Sequence, residues 1–549
     1  MNKIMLSLVL CINCFSNYAQ QTVGVFTHTA EAEDGYVLFA PIVSDSTYLI
    51  DKCGRRIHTW HANLQPGLSA YLLQDGTLLR SGSVGNPIFN QGGTGGRITR
   101  FDWNSNILWT YLLSDDTECQ HHDMCYLPNG NILVIMWESK TAAQMLQAGR
   151  NPNISNNTFW PEKIVELAPS GTNQATIVWQ WHVWDHVVQD YDATKDNYGT
   201  VAAHPELVDL NLFPLQPAAS GDWLHVNGID YNPALDQIML SVHNLGEIWI
   251  IDHSTTTAEA AGHSGGARGK GGDLLYRWGN PQNYGAGTPA DQQLFVQHDA
   301  QWIKPGIPDS GKILIFNNGT GRPGGNYSSV DMINPPVENG VYLLAGQAYG
   351  PAAPDWSYTA PTPTDFYANI ISGAQKIANG NVLICSGPQG EFFEVDSNKN
   401  LAWKYISPVT ALGIISQDSI PQKNSVFRSP EYAPDYPGLA GHSLTPGAPI
   451  EHNPLPDICA LGVNVLTNSA SGSVTAVNPF DDKITLQSWE NAPNSFITLT
   501  DITGRVMQQW QNIGLAAGGT VSLPLSNGLP SGMYILTIKN VAVLKLLKQ

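Results

Sequence analysis

A recurring unit constrains this chain more than any other feature. It is a short alternating strand, a turn, and a second strand that ends in tryptophan. Copies run from residues 47–51 to Trp60, 98–102 to Trp109, 164–167 to Trp181, 248–252 to Trp278 and 392–396 to Trp403, with a weaker one from 341–344 to Trp356. Apolar residues alternating between clusters of Asp, Asn, Gly and Ser are hairpin signals. Between these outer hairpins lie inner runs at residues 71–79, 121–135, 222–242, 296–316 and 374–384, which makes six outer units for five inner ones. The missing inner strand can come from the far end, near Ser425-Val426-Phe427-Arg428, pairing with the N-terminal outer hairpin. Such a closure removes free sheet edges. The expected fold is all-β: a six-bladed β-propeller over residues 20–460, followed by a small C-terminal β-sandwich. Seven blades or one large sandwich fit the count less well.

Three inner runs carry histidine at one phase: His121-His122-Asp123, then His225 within Asp222-Trp223-Leu224-His225-Val226-Asn227, then His298 within Val296-Gln297-His298-Asp299. Equivalent positions of a closed array face a common centre. The strand after His298 ends in a glycine-rich loop with one cation, Asn317-Asn318-Gly319-Thr320-Gly321-Arg322. Zinc needs three or four close N, S or O ligands, and a guanidinium beside a divalent cation is repelled, so no metal is expected here. Arginine instead suits an oxyanion, which it holds by paired hydrogen bonds. Imidazole titrates at about pH 6.5, so one ring can attack while another, protonated, donates to a leaving oxygen. His225, His298 and Arg322 are therefore the candidates for catalysis on a tetrahedral anion. His122 is a candidate substrate contact, although the adjacent His121 leaves open which ring faces the centre. Arg428, where the sixth inner strand should begin, is another. His182 and His186 are spaced four apart, but their Trp181, Trp184 and Asp185 neighbours point to packing, and His253 and His263 flank a glycine-rich loop where solvation is expected.

Composition narrows the partners. With 46 acidic and 27 basic residues the net charge is −19, and nothing resembles the basic stripe of a nucleic-acid binder. Residues 1–19 have the charge, short apolar core and small-residue end of a signal peptide, and no other stretch approaches the roughly 18 apolar residues of a membrane span. Cys53, Cys119, Cys125, Cys385 and Cys459 follow the leader, an odd number that leaves at least one free. Cys119 and Cys125 are near enough in sequence to bridge across the ends of one strand, or to be two buried thiols. Small polar residues at 461–475 form a linker, and alternating strands resume in 476–549.

The tail resembles the C-terminal sorting domain of type IX secretion substrates. The residues that carry the likeness are Asn478-Pro479-Phe480, Asp501-Ile502-Thr503-Gly504-Arg505-Val506, Leu529-Pro530-Ser531-Gly532-Met533-Tyr534 and the basic end Lys545-Leu546-Leu547-Lys548-Gln549. That resemblance implies a Bacteroidetes-type cell, the type IX secretion machinery as partner, and a secreted or cell-surface protein. The larger part is similar to the arylsulfotransferase family in Asp222 to Asn227, in Gln297-His298-Asp299-Ala300, in Phe316-Asn317-Asn318-Gly319 with Arg322, in Trp181 to His186, and in the closing run from Tyr432 to Leu439. This implies transfer of a sulfuryl group from an aryl sulfate to a phenolic acceptor by a ping-pong reaction through a sulfated histidine, with no nucleotide or other cofactor. In that scheme His225 and His298 bind sulfuryl oxygens or handle the phenol proton, Arg322 stabilises the sulfate, and Asn227 and Asn317 contact substrate. One departure stands out: the family's nucleophilic histidine is expected in the fifth inner loop, where this chain has Ser386-Gly387-Pro388-Gln389. Either His122, His225 or His298 replaces it, or no sulfohistidine forms. The alternative function is a non-catalytic surface propeller that binds an anionic ligand or glycan with the same histidines and arginine.

Overall fold

The computed structural model describes residues 21–154, 158–213, 215, 221–455, 459, 474–476, 480, 482–489, 491–501, 505–525, 529, 532–539 and 541–548. The expected leader and nearly all of the expected linker lie outside these residues. Two compact units divide between Leu455 and Pro456.

The first unit is all-β and propeller-like, with six sheets of four or five strands following one another along the chain. The second sheet runs Pro66–Leu72, Leu78–Ser83, Gly96–Phe101 and Ile107–Leu112 from its inner to its outer edge. In the same order, the third is Glu118–Tyr126, Ile132–Glu138, Glu162–Ser170 and Gln174–His182. The fourth is Val226–Asn232, Gln237–Val242, Glu247–Asp252 and Tyr276–Trp278. The fifth is His298–Trp302, Ile313–Asn317, Ser329–Ile333 and Trp356–Tyr358. The sixth is Gly373–Lys376, Val382–Ser386, Glu391–Val395 and Leu401–Ile406, with Gly24–His28 added outside. The first sheet is built from both ends of the unit: Tyr36–Phe39, Ser46–Asp51 and Arg56–His61 are joined on the inner edge by Glu431–Tyr432.

Central strands are continuous apolar runs because both their faces are buried. In the fourth sheet, Ile238, Leu240 and Val242 pack with the core shared with the third sheet, whereas Met239, Ile248 and Ile250 pack with that of the fifth. The recurring tryptophans do more than fill space. Trp60, Trp109, Trp181, Trp278 and Trp403 donate their indole N–H groups to the carbonyls of Asp102, Gln174, Gly272, Pro351 and Lys52. Each therefore clasps the next segment round the ring. Burial of an indole contributes roughly 4–6 kcal/mol of transfer free energy before entropy is counted, and the directed bond fixes where it is buried.

Two expectations need correction. The fifth outer hairpin is Ser329–Ile333 with Trp356–Tyr358, while Val341–Tyr342 belongs to a separate two-stranded ribbon with Val337–Glu338. Cys119 and Cys125 are free thiols, as is Cys385. Both lie on the strand Glu118–Tyr126, so six residues of extended chain hold them about 20 Å apart, far beyond the Cα separation of about 4–7 Å that a disulfide allows.

The second unit has a three-stranded sheet (Val474–Ala476, Lys483–Ser488, Thr520–Pro524) and a four-stranded sheet (Val506–Leu515, Ala492–Asp501, Gly532–Ile538, Ala542–Lys548). Ile484, Leu486, Ile497, Leu499 and Leu536 lie in its single core. No helix among the described residues is long and apolar enough to cross a membrane.

Ring closure is secured by a buried charge cluster. Lys52 Nζ lies 2.8 Å from Glu394 Oε2 of the sixth sheet and 2.5 Å from Glu431 Oε2 of the closing strand. It also stands 4.5 Å over the Trp403 ring. Burial pushes the Glu431 carboxyl up to about 7 even though Lys52 opposes it. Lys52→Met would leave two carboxylates buried without a counter-charge. We expect it to cost about 3–5 kcal/mol in denaturant unfolding, with Glu431→Gln in the same chain recovering part of that loss. An unchanged midpoint in the single variant would show that the cluster does not hold the ring shut.

Candidate active site

The inner strands are tied to one another round the ring by side-chain hydrogen bonds. The Tyr432 hydroxyl accepts from Leu72 N, and the Tyr71 hydroxyl donates to Asp123. Asp123 also accepts from Ile229 N, Asp230 from Trp302 N, and Asp299 from Ala374 N. Gln375 and Glu431 exchange two bonds at the closure. Arg428 fills the middle. Its guanidinium donates to the Tyr71 hydroxyl at 2.8 Å, to Asp123 Oδ2 at 2.6 Å and to the Asn227 carbonyl at 3.2 Å. Its Nε lies 3.0 Å from Asp299 Oδ1, without the alignment of a hydrogen bond. Although burial alone would favour the neutral form, Asp123 and Asp299 hold this guanidinium still more firmly charged than usual. Burial, opposed by Arg428 and reinforced by Asp123, pushes the Asp299 carboxyl up to about 6. Arg428 is thus committed to protein partners.

Beside this plug stands a row of imidazoles. The His122 and His225 rings are 4.5 Å apart, His225 and His243 4.9 Å, and His243 and His298 5.1 Å. Local backbone places them. His122 and His225 have φ of 50° and 52°, as does Asp299 (52°) next to His298, and the pairing register slips between Val226 and Gly228 and between His298 and Gln301. These are bulges that re-aim side chains at the start of inner strands. Non-glycine residues in the left-handed region cost free energy and persist where surrounding contacts fix them.

Partners fix the tautomers. His298 Nδ1 is 2.8 Å from Asn318 Oδ1, and Asn318 Nδ2 donates to the carbonyls of Ala368 and Ile371, so its oxygen must accept. His243 Nδ1 is 2.8 Å from Asn244 Oδ1, and Asn244 Nδ2 donates to the Trp223 carbonyl. His225 Nδ1 is 2.5 Å from Asp222 Oδ2, while Asp222 Oδ1 accepts from the Trp137 indole. All three rings therefore carry hydrogen on Nδ1, which in the neutral form leaves the lone pair on Nε2. His122 and His121 share one Nδ1 to Nδ1 contact of 2.9 Å, and His121 stacks on Trp137. Burial, with the neighbouring imidazoles adding to it, holds His121, His122 and His243 well below the usual histidine range. Burial likewise pushes His298 down to about 3, against the pull of Asn318. Behind His225, burial and the Asp222 charge push the Glu162 carboxyl well above its ordinary range, and it accepts from Val226 N.

The other candidates fall elsewhere. Arg322 donates to Ser329 Oγ at 2.9 Å and lies 4.4 Å over the Tyr327 ring, with its Nε buried and unpartnered and no contact to the histidines among the described residues. Asn317 is fully engaged, accepting from Phe295 N and donating to the Gln293 carbonyl and Asp331. Asn227 donates to the Gln297 carbonyl, and its Oδ1 is buried without a partner. The fifth loop has no room for an imidazole at Gly387, where a Cβ would come within 2.6 Å of both Ile371 and the Val426 carbonyl. His442 stacks on Trp103, far from the row in its contacts. A cavity of about 640 Å³ is lined by Arg428 together with Met124, Tyr126, Gln301 and Gln375, and no histidine lines it.

Sequence reading missed His243, Asp222 and Asn318. His243 follows the strand Gln237–Val242 directly, and Asp222 and Asn318 sit inside motifs already singled out. Their signal was present as spacing: an acid three residues before His225, and a second Asn after Asn317.

Comparisons bear on the whole arrangement. Residues 27–407 match the family model described as Arylsulfotransferase (ASST), and residues 478–548 match the one described as Secretion system C-terminal sorting domain. No curated protein matches the chain. Similar solved structures include a protein of unknown function from Bacteroides caccae, 11% identical with a TM-score of 0.39 over 73% of this chain and 99% of that one. Virginiamycin B lyase from Staphylococcus aureus is 11% identical with a TM-score of 0.33, over 72% of this chain and 87% of that one. A periplasmic gluconolactonase from Pseudomonas aeruginosa is 10% identical with a TM-score of 0.33, over 90% and 99%.

A histidine whose folded pKa lies below its unfolded value binds fewer protons in the native state, so its contribution is lost as pH falls. For His298 that window runs from 6.5 down to about 3, and His121, His122 and His243 act in the same direction. We expect the stability of the first unit to fall steeply below about pH 6.5. His243→Gln should reduce that slope by about 1.4 kcal/mol per pH unit, read from denaturant midpoints between pH 7 and pH 4. An unaltered slope would mean that His243 protonates freely in the native state.

Proposed function

The chain belongs to the arylsulfotransferase family, and from that premise we propose that it is a secreted aryl-sulfate sulfotransferase whose reaction runs at the imidazole row of a six-bladed β-propeller. Its C-terminal sorting domain points to the cell surface or outside the cell. In this reading residues 20–460 carry the chemistry, 461–475 are a linker, and 476–549 form a sandwich that engages the type IX secretion machinery and takes no part in catalysis.

The observation that carries the proposal is the pairing of His225 with Asp222 at 2.5 Å, beside three rings that burial holds below the usual histidine range. A carboxylate that accepts Nδ1–H holds the ring in one tautomer and stabilises positive charge on it, as in nucleophile–base–acid systems. His225 is also the most exposed of the row, its side chain 18% accessible, so it is the ring a donor can reach. We assign it as nucleophile in place of the absent fifth-loop histidine. Its Nε2 forms a bond to the donor's sulfur as the bond to the phenolic oxygen breaks, and the phenolate leaves with the electron pair. The acceptor's phenolic oxygen then bonds to sulfur as the N–S bond breaks, and the acceptor proton passes to a neighbouring imidazole. His243 and His298 fit that last role. With hydrogen on Nδ1 and a lone pair at Nε2, each can accept a hydrogen bond from the phenolic O–H and orient it, but has no Nε2 hydrogen to donate to a sulfuryl oxygen. That leaves charge on the sulfuryl group to Arg322, whose unpartnered Nε would have to be brought over the row by its glycine-rich loop. The reaction then needs positioning and preorganised charge rather than a cofactor, as phosphoryl transfer does.

The test is transfer from p-nitrophenyl sulfate to phenol. Acceptor-dependent release of nitrophenol is expected, abolished in His225→Ala, with a sulfated peptide containing His225 recovered when acceptor is omitted. Asp222→Asn should lower kcat by about 10²–10⁴-fold and leave the fold intact. A folded protein that turns over no aryl sulfate would overturn the enzyme reading in favour of an anion- or glycan-binding propeller, the function that the empty fifth loop favours.

A further inference from the structure

Away from the channel, a second histidine cluster has chemistry of its own. His186 ends a short 3₁₀ turn, Val183–His186, just outside the third sheet. Its ring is fully buried and stacks on Trp181 at 5.6 Å and 3°. It faces the long excursion of the fourth sheet between Asp252 and Tyr276, where Nε2 lies 2.7 Å from the Ala260 carbonyl and Nδ1 lies 2.8 Å from Asp273 Oδ1. His263, from the same excursion, brings its own Nδ1 to 2.8 Å from that same carboxylate oxygen.

The proton inventory leaves a gap. A carbonyl only accepts, so His186 Nε2 carries hydrogen. A neutral His186 then turns a lone pair at Nδ1 onto Asp273 Oδ1, which also only accepts. Two acceptors face each other at 2.8 Å, and either a second proton on a fully buried ring or a cation between them must reconcile them. The ligand atoms of His186, His263 and Asp273 all lie within 4.8 Å of one another. Close approach is built in: a Cβ on Gly272 would meet the Ala260 carbonyl at 2.0 Å and His186 Nε2 at 2.4 Å, so only glycine lets this turn pass behind the ring.

We propose that His186, His263 and Asp273 form a site for a zinc-class divalent cation, two imidazole nitrogens and one carboxylate oxygen with a solvent-side position left open. Imidazole with carboxylate is a donor set of borderline metals rather than of calcium or magnesium. His186 arrives oriented, because its Nε2–H is held by a backbone carbonyl, the arrangement that fixes metal-binding histidines elsewhere. His263 supplies the entry path, since its side chain is 61% exposed while Asp273 is 8% exposed. Zinc bonds of about 2.0–2.2 Å set tetrahedral ligand atoms about 3.3 Å apart, so binding opens the present contacts by about half an ångström, and the exposed His263 is the ligand that gives. A bound cation would pin the excursion of the fourth sheet to the turn that leaves the third.

The experiment uses untagged full-length protein stripped with chelator, titrated with Zn²⁺ by calorimetry, and with Co²⁺ by visible absorption. One equivalent should bind, Co²⁺ should give the intense d–d bands of a four-coordinate site, and Zn²⁺ should raise Tm. His263→Ala is the informative variant because that residue is exposed and its loss spares the core. It should weaken binding at least 100-fold and abolish the Tm shift while leaving aryl-sulfate turnover unchanged. Failure to take up metal would overturn the proposal, and so would equal affinity in His263→Ala, which would put the cation elsewhere.

Discussion

One guanidinium sets what the centre of the ring can be. Arg428 reaches partners on the inner strands of the second, third, fourth and fifth sheets, namely Tyr71, Asp123, the Asn227 carbonyl and Asp299. Two buried carboxylates without that cation would be untenable, and the cation without them equally so. The same acids accept backbone N–H groups from neighbouring sheets, so one charge network joins the strands. Arg428 also lines a cavity of about 640 Å³ that has no imidazole in its wall.

Burial and reactivity are coupled in the row itself. Neutral imidazole is the form a nucleophile or base needs, and desolvation favours it. A row of exposed rings would titrate individually and repel one another when charged. Here three of the four rings, His225, His243 and His298, are anchored at Nδ1 by an acceptor: Asp222, Asn244 and Asn318. Among these three only His225 has an acid as its anchor, and that asymmetry distinguishes it from His243 and His298.

Much of this was legible in the chain. The tryptophan period was visible because each indole closes a local hairpin, and that pattern survives without knowledge of the neighbour it clasps. The histidine phase was visible for the same reason. Asn318 was hidden by parity: Asn317 is the last residue of the strand Ile313–Asn317, so its amide turns to the sheet's own loops, whereas the next residue faces His298. Arg322 and Arg428 could not be told apart in sequence, since each lies near an inner strand's end. Three-dimensional contacts alone give one of them two carboxylates and the other a serine and two aromatic rings. The fifth outer hairpin was misplaced because Ser329–Ile333 is short and opens with polar residues, while the more apolar 341–344 stretch belongs to small ribbons outside the sheet.

The position of the closing strand gives the ring a direction in time. Glu431 and Arg428 lie nearly 400 residues after the strand Tyr36–Phe39 that Glu431 pairs with. A chain emerging from its N-terminus therefore presents Asp123, Lys52 and Asp299 long before the groups that neutralise or confine them exist. Until then the channel wall is a set of charged strand edges open to water, and water can satisfy them. The contacts of the centre are thus the last that the order of the chain can supply, because Arg428 and Glu431 follow every residue they pair with.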